Sequence, residues 1–169
     1  MNRGDRFHKA HSPRIWANPT HVLAFGFGAG LLPIAPGSAG ALVGIVCYAA
    51  LEPLPMLWYL ATTVCLFAIG IWLCGSTARD LGVHDHPGIV WDEIVGLLIT
   101  MSAAPCGWGW TVLGFILFRA FDITKPWPIA TVDRRVTGGL GIMLDDMLAG
   151  VYALVALQGI AFVLKIVAL

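Results

Sequence analysis

Hydrophobic positions along this chain run in four long blocks. Residues 15–51, 53–78, 94–118 and 147–164 contain no Asp, Glu, Lys or Arg. A bilayer crossing needs about 20 predominantly apolar residues, so uncharged runs of 37, 26, 25 and 18 residues indicate an integral membrane protein. The first block divides internally. Residues 22–34 are apolar but Gly-rich, and the stretch from Pro33 to Gly40 places two prolines and two glycines where a helix would otherwise continue. Ser38 is positioned to N-cap the next helix, predicted to run to Leu51. Glu52-Pro53-Leu54-Pro55 is a turn, and a second apolar helix follows over 56–75.

The third block is broken by Pro105-Cys106-Gly107 into halves of about a dozen residues, each ~18 Å long at 1.5 Å per residue. That is short of the ~30 Å of a full crossing. The block therefore either crosses once as a kinked helix or dips in and returns as a short hairpin; placing Arg14, Arg79, Arg119, Arg134 and Arg135 on the cytoplasmic side favours the hairpin. A last apolar helix is predicted over 147–166, with Lys165 reaching to the far interface. The predicted fold is all-α: a polytopic helical membrane protein, one domain over 1–169, with broken or re-entrant helices around a polar site at the cytoplasmic face. Residues 1–19 form its polar cytoplasmic lead-in.

Composition agrees: 58% of the 169 residues are hydrophobic and 12% charged, against about 25% charged in a soluble domain. Net charge is zero, which removes the basic surface a nucleic-acid partner needs. Cys47, Cys65, Cys74 and Cys106 form no C-x-x-C pair and read as buried small hydrophobes.

Charge adds more than a membrane signature. Apart from Glu52 and Lys165, every charged residue falls within 1–14, 79–93 or 119–146. The second cluster holds Asp80, Asp85 and the doublet Asp92-Glu93 just before an apolar run. The third holds Arg119, Asp122, Lys125, Asp133 and the doublet Asp145-Asp146, again just before an apolar run. An acidic doublet in a first helical turn is favoured by the helix dipole, a purely structural reason for either pair. Two doublets brought to one depth would also give hard oxygen ligands suited to Mg²⁺. His84 and His86, at i and i+2 in a loop, are a weak zinc signal beside so many carboxylates. Arg119 and Asp122 share a helix face, as an ion pair or as a phosphate-binding cation beside a metal-binding carboxylate. The backbone N–H groups near Gly37 and Ser38 could hold an anion. No P-loop, nucleophile elbow or aspartate-x-aspartate pattern is present, and Cys74 and Arg79 lie one residue too close for a cysteine phosphatase. Carboxylates, a metal and water remain.

These runs resemble the phosphatidylglycerophosphatase A family. The resemblance lies in Gly26-Phe27-Gly28 and Pro36-Gly37-Ser38, in 80–86 (DLGVHDH), 89–96 (IVWDEIVG), 118–129 (FRAFDITKPWPI), Asp133-Arg134 and 139–150 (GLGIMLDDMLAG). It implies a Mg²⁺-dependent enzyme of the bacterial inner membrane that removes the terminal phosphate of phosphatidylglycerophosphate to give phosphatidylglycerol. The expected metal ligands are Asp92, Glu93, Asp145 and Asp146. Asp85, Asp122, Arg119 and Lys125 are the expected catalytic residues. Arg119, Lys125, Ser38, Gly37, Asp80 and Asp133 are expected to bind substrate. Direct attack by water is expected, with an aspartyl-phosphate on Asp85 or Asp122 as the other route. The competing class is a cation or small-solute transporter built on the same carboxylates. A homo-oligomer is compatible with the chain but does not follow from it.

Overall fold

The structure is a computed structural model and describes residues 15–83 and 85–167. The described residues form helices and turns, with no strand among them. Two helices are long and apolar enough to cross a membrane, which fits a helical membrane protein.

Helix α1 (Pro19–Ala24) starts at Asn18, whose side-chain oxygen accepts from Thr20 N–H at 3.0 Å. A 3₁₀ segment, Gly26–Leu31, turns the chain through left-handed positions at Phe27 and Gly28. Helix α2 (Pro36–Leu51) follows a left-handed Ala35 and takes Pro36 at its first position, where the missing N–H costs nothing. The predicted cap at Ser38 is therefore incorrect: Ser38 is already inside the helix. Helix α3 (Met56–Leu81) runs past the predicted end at 75 and stops at Gly82, a left-handed cap with φ +69°.

Helices α4 (Trp91–Thr100) and α5 (Trp108–Thr124) flank the Pro105 break. They run antiparallel: Gly96 lies against Phe118, and Gly114 against Met101 and Thr100. Short α6 (Ile129–Arg135) leads to α7 (Gly138–Val167). Helix α7 begins nine residues before the predicted 147, so Asp145 and Asp146 lie two turns inside it, not at its start.

Helix α7 is the central element and packs on α3, α4, α5 and α6. Its crossing with α4 brings backbones together: a Cβ on Gly150 would lie 2.5 Å from the Gly96 carbonyl oxygen. Thr100 secures the crossing, its hydroxyl lying 3.0 Å from that carbonyl oxygen and 3.4 Å from the one of Gly150. One part of the core gathers Phe25, Leu73, Ile89, Trp91 and Met143; the other gathers Leu97, Leu98, Met101, Phe118 and Leu157.

The outer surface carries Leu57, Trp58, Val64, Trp72, Val155 and Phe162 exposed. Only 28% and 22% of the most apolar windows of α3 and α7 are buried, unlike the core helices of a soluble protein. Cys74 is buried as expected, but Cys65 and Cys106 are exposed; all four thiols are free. The predicted lead-in falls mostly outside the described residues, and where it enters them Ile15 is packed in the core.

Candidate active site

The candidate site forms where the first turn of α4, the last turns of α5 and the Asp145-Asp146 stretch of α7 meet. The loop before α4 is fixed by Val90, whose N–H donates to the Ala24 carbonyl at 2.9 Å. Trp91 then opens α4, its indole N–H donating to the Leu66 carbonyl of α3 at 3.1 Å. This places Asp92 and Glu93 in the first turn of α4, facing Asp146 of α7. One oxygen from each of these three residues lies within 4.8 Å of the other two. The last turns of α5 add Arg119 and Asp122. Arg119 pairs with Asp122 one turn on, and its guanidinium is 3.9 Å from Glu93. Asp122 in turn contacts Asp146.

The break before α2 reaches the same place. A Cβ on Gly37 would sit 2.2 Å from Glu93 Oε1 and 3.0–3.1 Å from the Arg119 guanidinium nitrogens. Only hydrogen fits between the start of α2 and these side chains. Ser38 is the next residue and is half-buried.

The electrostatics of the group are unbalanced. Asp92 Oδ1, Glu93 Oε2 and Asp146 Oδ2 are buried without a hydrogen-bond partner, as is Arg119 Nε. Buried carboxylates without partners are costly and repel one another. Burial pushes Asp92 well above the usual carboxylate range, and the neighbouring Glu93 charge adds to it. Burial also raises Glu93, to about 7, against the opposing pull of the Asp92 hydrogen bond and of Arg119. Both residues lie outside the two candidate spans. An all-oxygen donor set with one orphaned atom on each of three carboxylates fits a hard divalent cation such as Mg²⁺.

A second polar group stands beside the first. Lys125 occupies a left-handed position at the end of α5 (φ 41°). Its ammonium donates to Asp145 at 2.6 Å and to Asp133 of α6 at 2.9 Å. Burial works against the charged form of Lys125, but the bonds to Asp145 and Asp133 outweigh it and hold its pKa above the usual lysine value. Asp85, Asp133 and Asp145 line a small cavity of about 40 Å³ closed by Val136, Gly141 and Ile142. Adjacent residues on a helix point about 100° apart. Asp145 therefore faces Lys125 while Asp146 faces Asp92 and Glu93.

The structure thus sorts the predicted residues. Asp92, Glu93 and Asp146 meet, with Arg119, Asp122 and Gly37 around them. Asp145, expected with the ligands, is instead with Lys125, Asp133 and Asp85. Asp80 joins neither group: its carboxylate is 3.1 Å from Nε2 of the buried His21. That pairing went unpredicted, since His21 sits in an apolar stretch 59 residues away with no local signal. His86 is buried with Nδ1 accepting from Gly88 N–H at 2.9 Å; His84 lies outside the described residues.

Known proteins are similar to this chain over most of its length. The phosphatidylglycerophosphatase A family model matches residues 22–161. The chain belongs to the phosphatidylglycerophosphatase A family. An Escherichia coli phosphatidylglycerophosphatase A is 49% identical over 80% of this chain and 79% of its own length. A Haemophilus influenzae phosphatidylglycerophosphatase A is 46% identical over 86% of this chain and 90% of its own. A Bacteroides thetaiotaomicron protein, named provisionally as a phosphatidylinositol-3-phosphatase, is 40% identical over 79% of this chain and 88% of its own. No solved structure matches. The family model spans both acidic doublets, Arg119 and Gly37.

Proposed function

We propose that this protein is a membrane phosphatase that hydrolyses phosphatidylglycerophosphate to phosphatidylglycerol and phosphate at the cytoplasmic face of the bacterial inner membrane. Membership of the phosphatidylglycerophosphatase A family supports the reaction. The observation that carries the site is the meeting of Asp92, Glu93 and Asp146, each with an orphaned buried oxygen, beside Arg119.

The chain acts as one membrane-embedded domain. Helices α3 and α7 cross the bilayer. Helices α4 and α5, ~15 Å and ~25 Å long at 1.5 Å per residue, enter from the charged end and return to it. Arg79, Arg119, Arg134 and Arg135 lie toward that end, which the positive-inside rule assigns to the cytoplasm. The substrate's acyl chains stay in the adjoining leaflet and its head group meets the carboxylates.

Asp92, Glu93 and Asp146 would hold Mg²⁺. The chemistry that Mg²⁺ would supply there is polarisation of the phosphoryl group and a lowered pKa for bound water. Arg119 offsets charge on the phosphoryl oxygens as the transition state develops. Glu93 and Asp122 fix its guanidinium from two sides. The Gly37 backbone packs directly against Glu93 and Arg119 and so fixes where they stand. Asp122 takes the proton of the attacking water. Oxygen from water bonds to phosphorus, the bond from phosphorus to the glycerol oxygen breaks, and that oxygen gains a proton to become the free hydroxyl.

Phosphate release from the purified protein in detergent tests the reading. We expect release from phosphatidylglycerophosphate, its loss with EDTA and its return with Mg²⁺. No release under any metal condition would overturn it.

A further inference from the structure

The proposed phosphatase site uses Arg119 and the carboxylates around Asp146, and leaves the second polar group unexplained. That group is a built cavity. Asp145 is only 7% exposed, and its Oδ2 is taken by Lys125 at 2.6 Å. Its Oδ1 is buried without a partner, on a residue that lines the cavity together with Asp85 and Asp133.

The chemistry of the walls selects the occupant. Carboxylates only accept hydrogen bonds when ionised, so the ligand must donate. A phosphate, all acceptor, is repelled here and favoured at Arg119. A second metal cation would have to compete with the Lys125 ammonium, which already holds one oxygen each of Asp133 and Asp145. A neutral hydroxyl meets both conditions. Size narrows the choice further. One water needs about 10–15 Å³ of such space, so about 40 Å³ takes about three or four water-sized groups. That suits a CHOH unit and is too small, as shaped here, for the ring of an inositol head. Because Asp145 and Asp146 are neighbours on α7, whatever fills this cavity lies beside whatever is bound at Asp146.

We propose that the cavity lined by Asp85, Asp133 and Asp145 receives the secondary hydroxyl of the substrate's terminal glycerol, making these residues the determinants that favour a glycerol phosphate over a phosphate lacking that hydroxyl. This rests on the reading of the protein as a phosphatidylglycerophosphate phosphatase. The orphaned Asp145 oxygen is the acceptor, and Asp133, held by Lys125, forms the outer wall.

The experiment compares phosphatidylglycerophosphate with its analogue built on 1,3-propanediol phosphate, which lacks only the secondary hydroxyl. Phosphatidate, with no terminal glycerol, serves as a further comparison. A hydrogen bond to a charged acceptor gives about 10- to 100-fold discrimination, so wild-type kcat/KM should fall by about that factor for the deoxy analogue. Asp133→Ala, at a part-exposed position, and Asp85→Asn should lower kcat/KM for the natural substrate while narrowing the gap between the two lipids. A purely structural role would lower both rates together and leave their ratio intact. Equal wild-type rates on the two lipids, within twofold, overturn the inference. So does a preference that survives unchanged in both variants. Absence of all phosphate release from wild-type protein would instead count against the phosphatase reading itself.

Discussion

Replacing Gly37 with alanine tests the geometry of the site with a single methyl group. The added Cβ would fall 2.2 Å from Glu93 Oε1, where ordinary contact begins at 3.4 Å. Glu93 must retreat by about 1 Å, and the Arg119 guanidinium beside it must adjust. A misplacement of that size at a reacting centre costs about 100-fold in rate, or ~2.7 kcal/mol of barrier. The fold should tolerate the change, because the displaced atom is the end of a flexible side chain and α2 gains a better helix former. We therefore expect kcat for phosphate release to fall about 100-fold while the thermal midpoint in detergent shifts little. Gly159→Ala is the matched control. A Cβ there meets nothing within 4 Å, so turnover should stay at the wild-type level. Turnover of Gly37→Ala within threefold of wild type would refute the claim that this backbone borders the reacting centre. Loss of activity that merely tracks loss of folded protein would refute it equally.

Asp92→Asn, Glu93→Gln and Asp146→Asn should each lower turnover at least about 100-fold, as expected when a metal-polarised phosphoryl group loses a ligand. Wild-type-like rates in two of the three would break the proposed ligand set. Glu93 also makes a pH prediction for metal-free protein. Its folded-state pKa, about 7, lies above its ordinary 4.5, so between these values the folded state binds more protons than the unfolded one. Stability should then fall as pH rises from about 4.5 to 7, and added Mg²⁺ should offset the loss. Thermal unfolding in detergent at pH 5 and 7.5, with EDTA or Mg²⁺, reads both; a midpoint that rises with pH in EDTA contradicts the assignment.

The all-helical class and the hairpin of α4 and α5 were legible because both depend on run length, Pro105-Cys106-Gly107 and the place of charge. Helix ends were less legible. Ser38 looked like a cap because its residue type favours that role, but Pro36 had already set helical φ two residues earlier. The last helix is expected from the sequence to start only at 147, after Gly138-Gly139-Leu140-Gly141. In the structure the close approach of α3 needs small residues there: a Cβ on Gly139 would lie 1.9 Å from the Ile71 carbonyl oxygen. Tertiary packing thus overrode the weak helix propensity of glycine. Misreading that start hid the divergence of Asp145 from Asp146, since two adjacent acids separate only once they are inside a helix. The residue types of both polar groups were readable. Their partition was not, because the Lys125–Asp145 and His21–Asp80 pairs join positions 20 and 59 apart, fixed by how α7 and α1 lie.

Because α7 is a continuous rod from Gly138 to Val167, its two adjacent aspartates form one rigid lever with two working edges. Turning the helix to improve one edge spoils the other. Insertion of a single residue between 138 and 145 would rotate both carboxylates by about 100°, breaking the proposed metal site and the proposed head-group contact together. On the proposed reading, variation that retunes which lipid is accepted must therefore come from the opposing walls, Asp85 and Asp133, which lie outside α7.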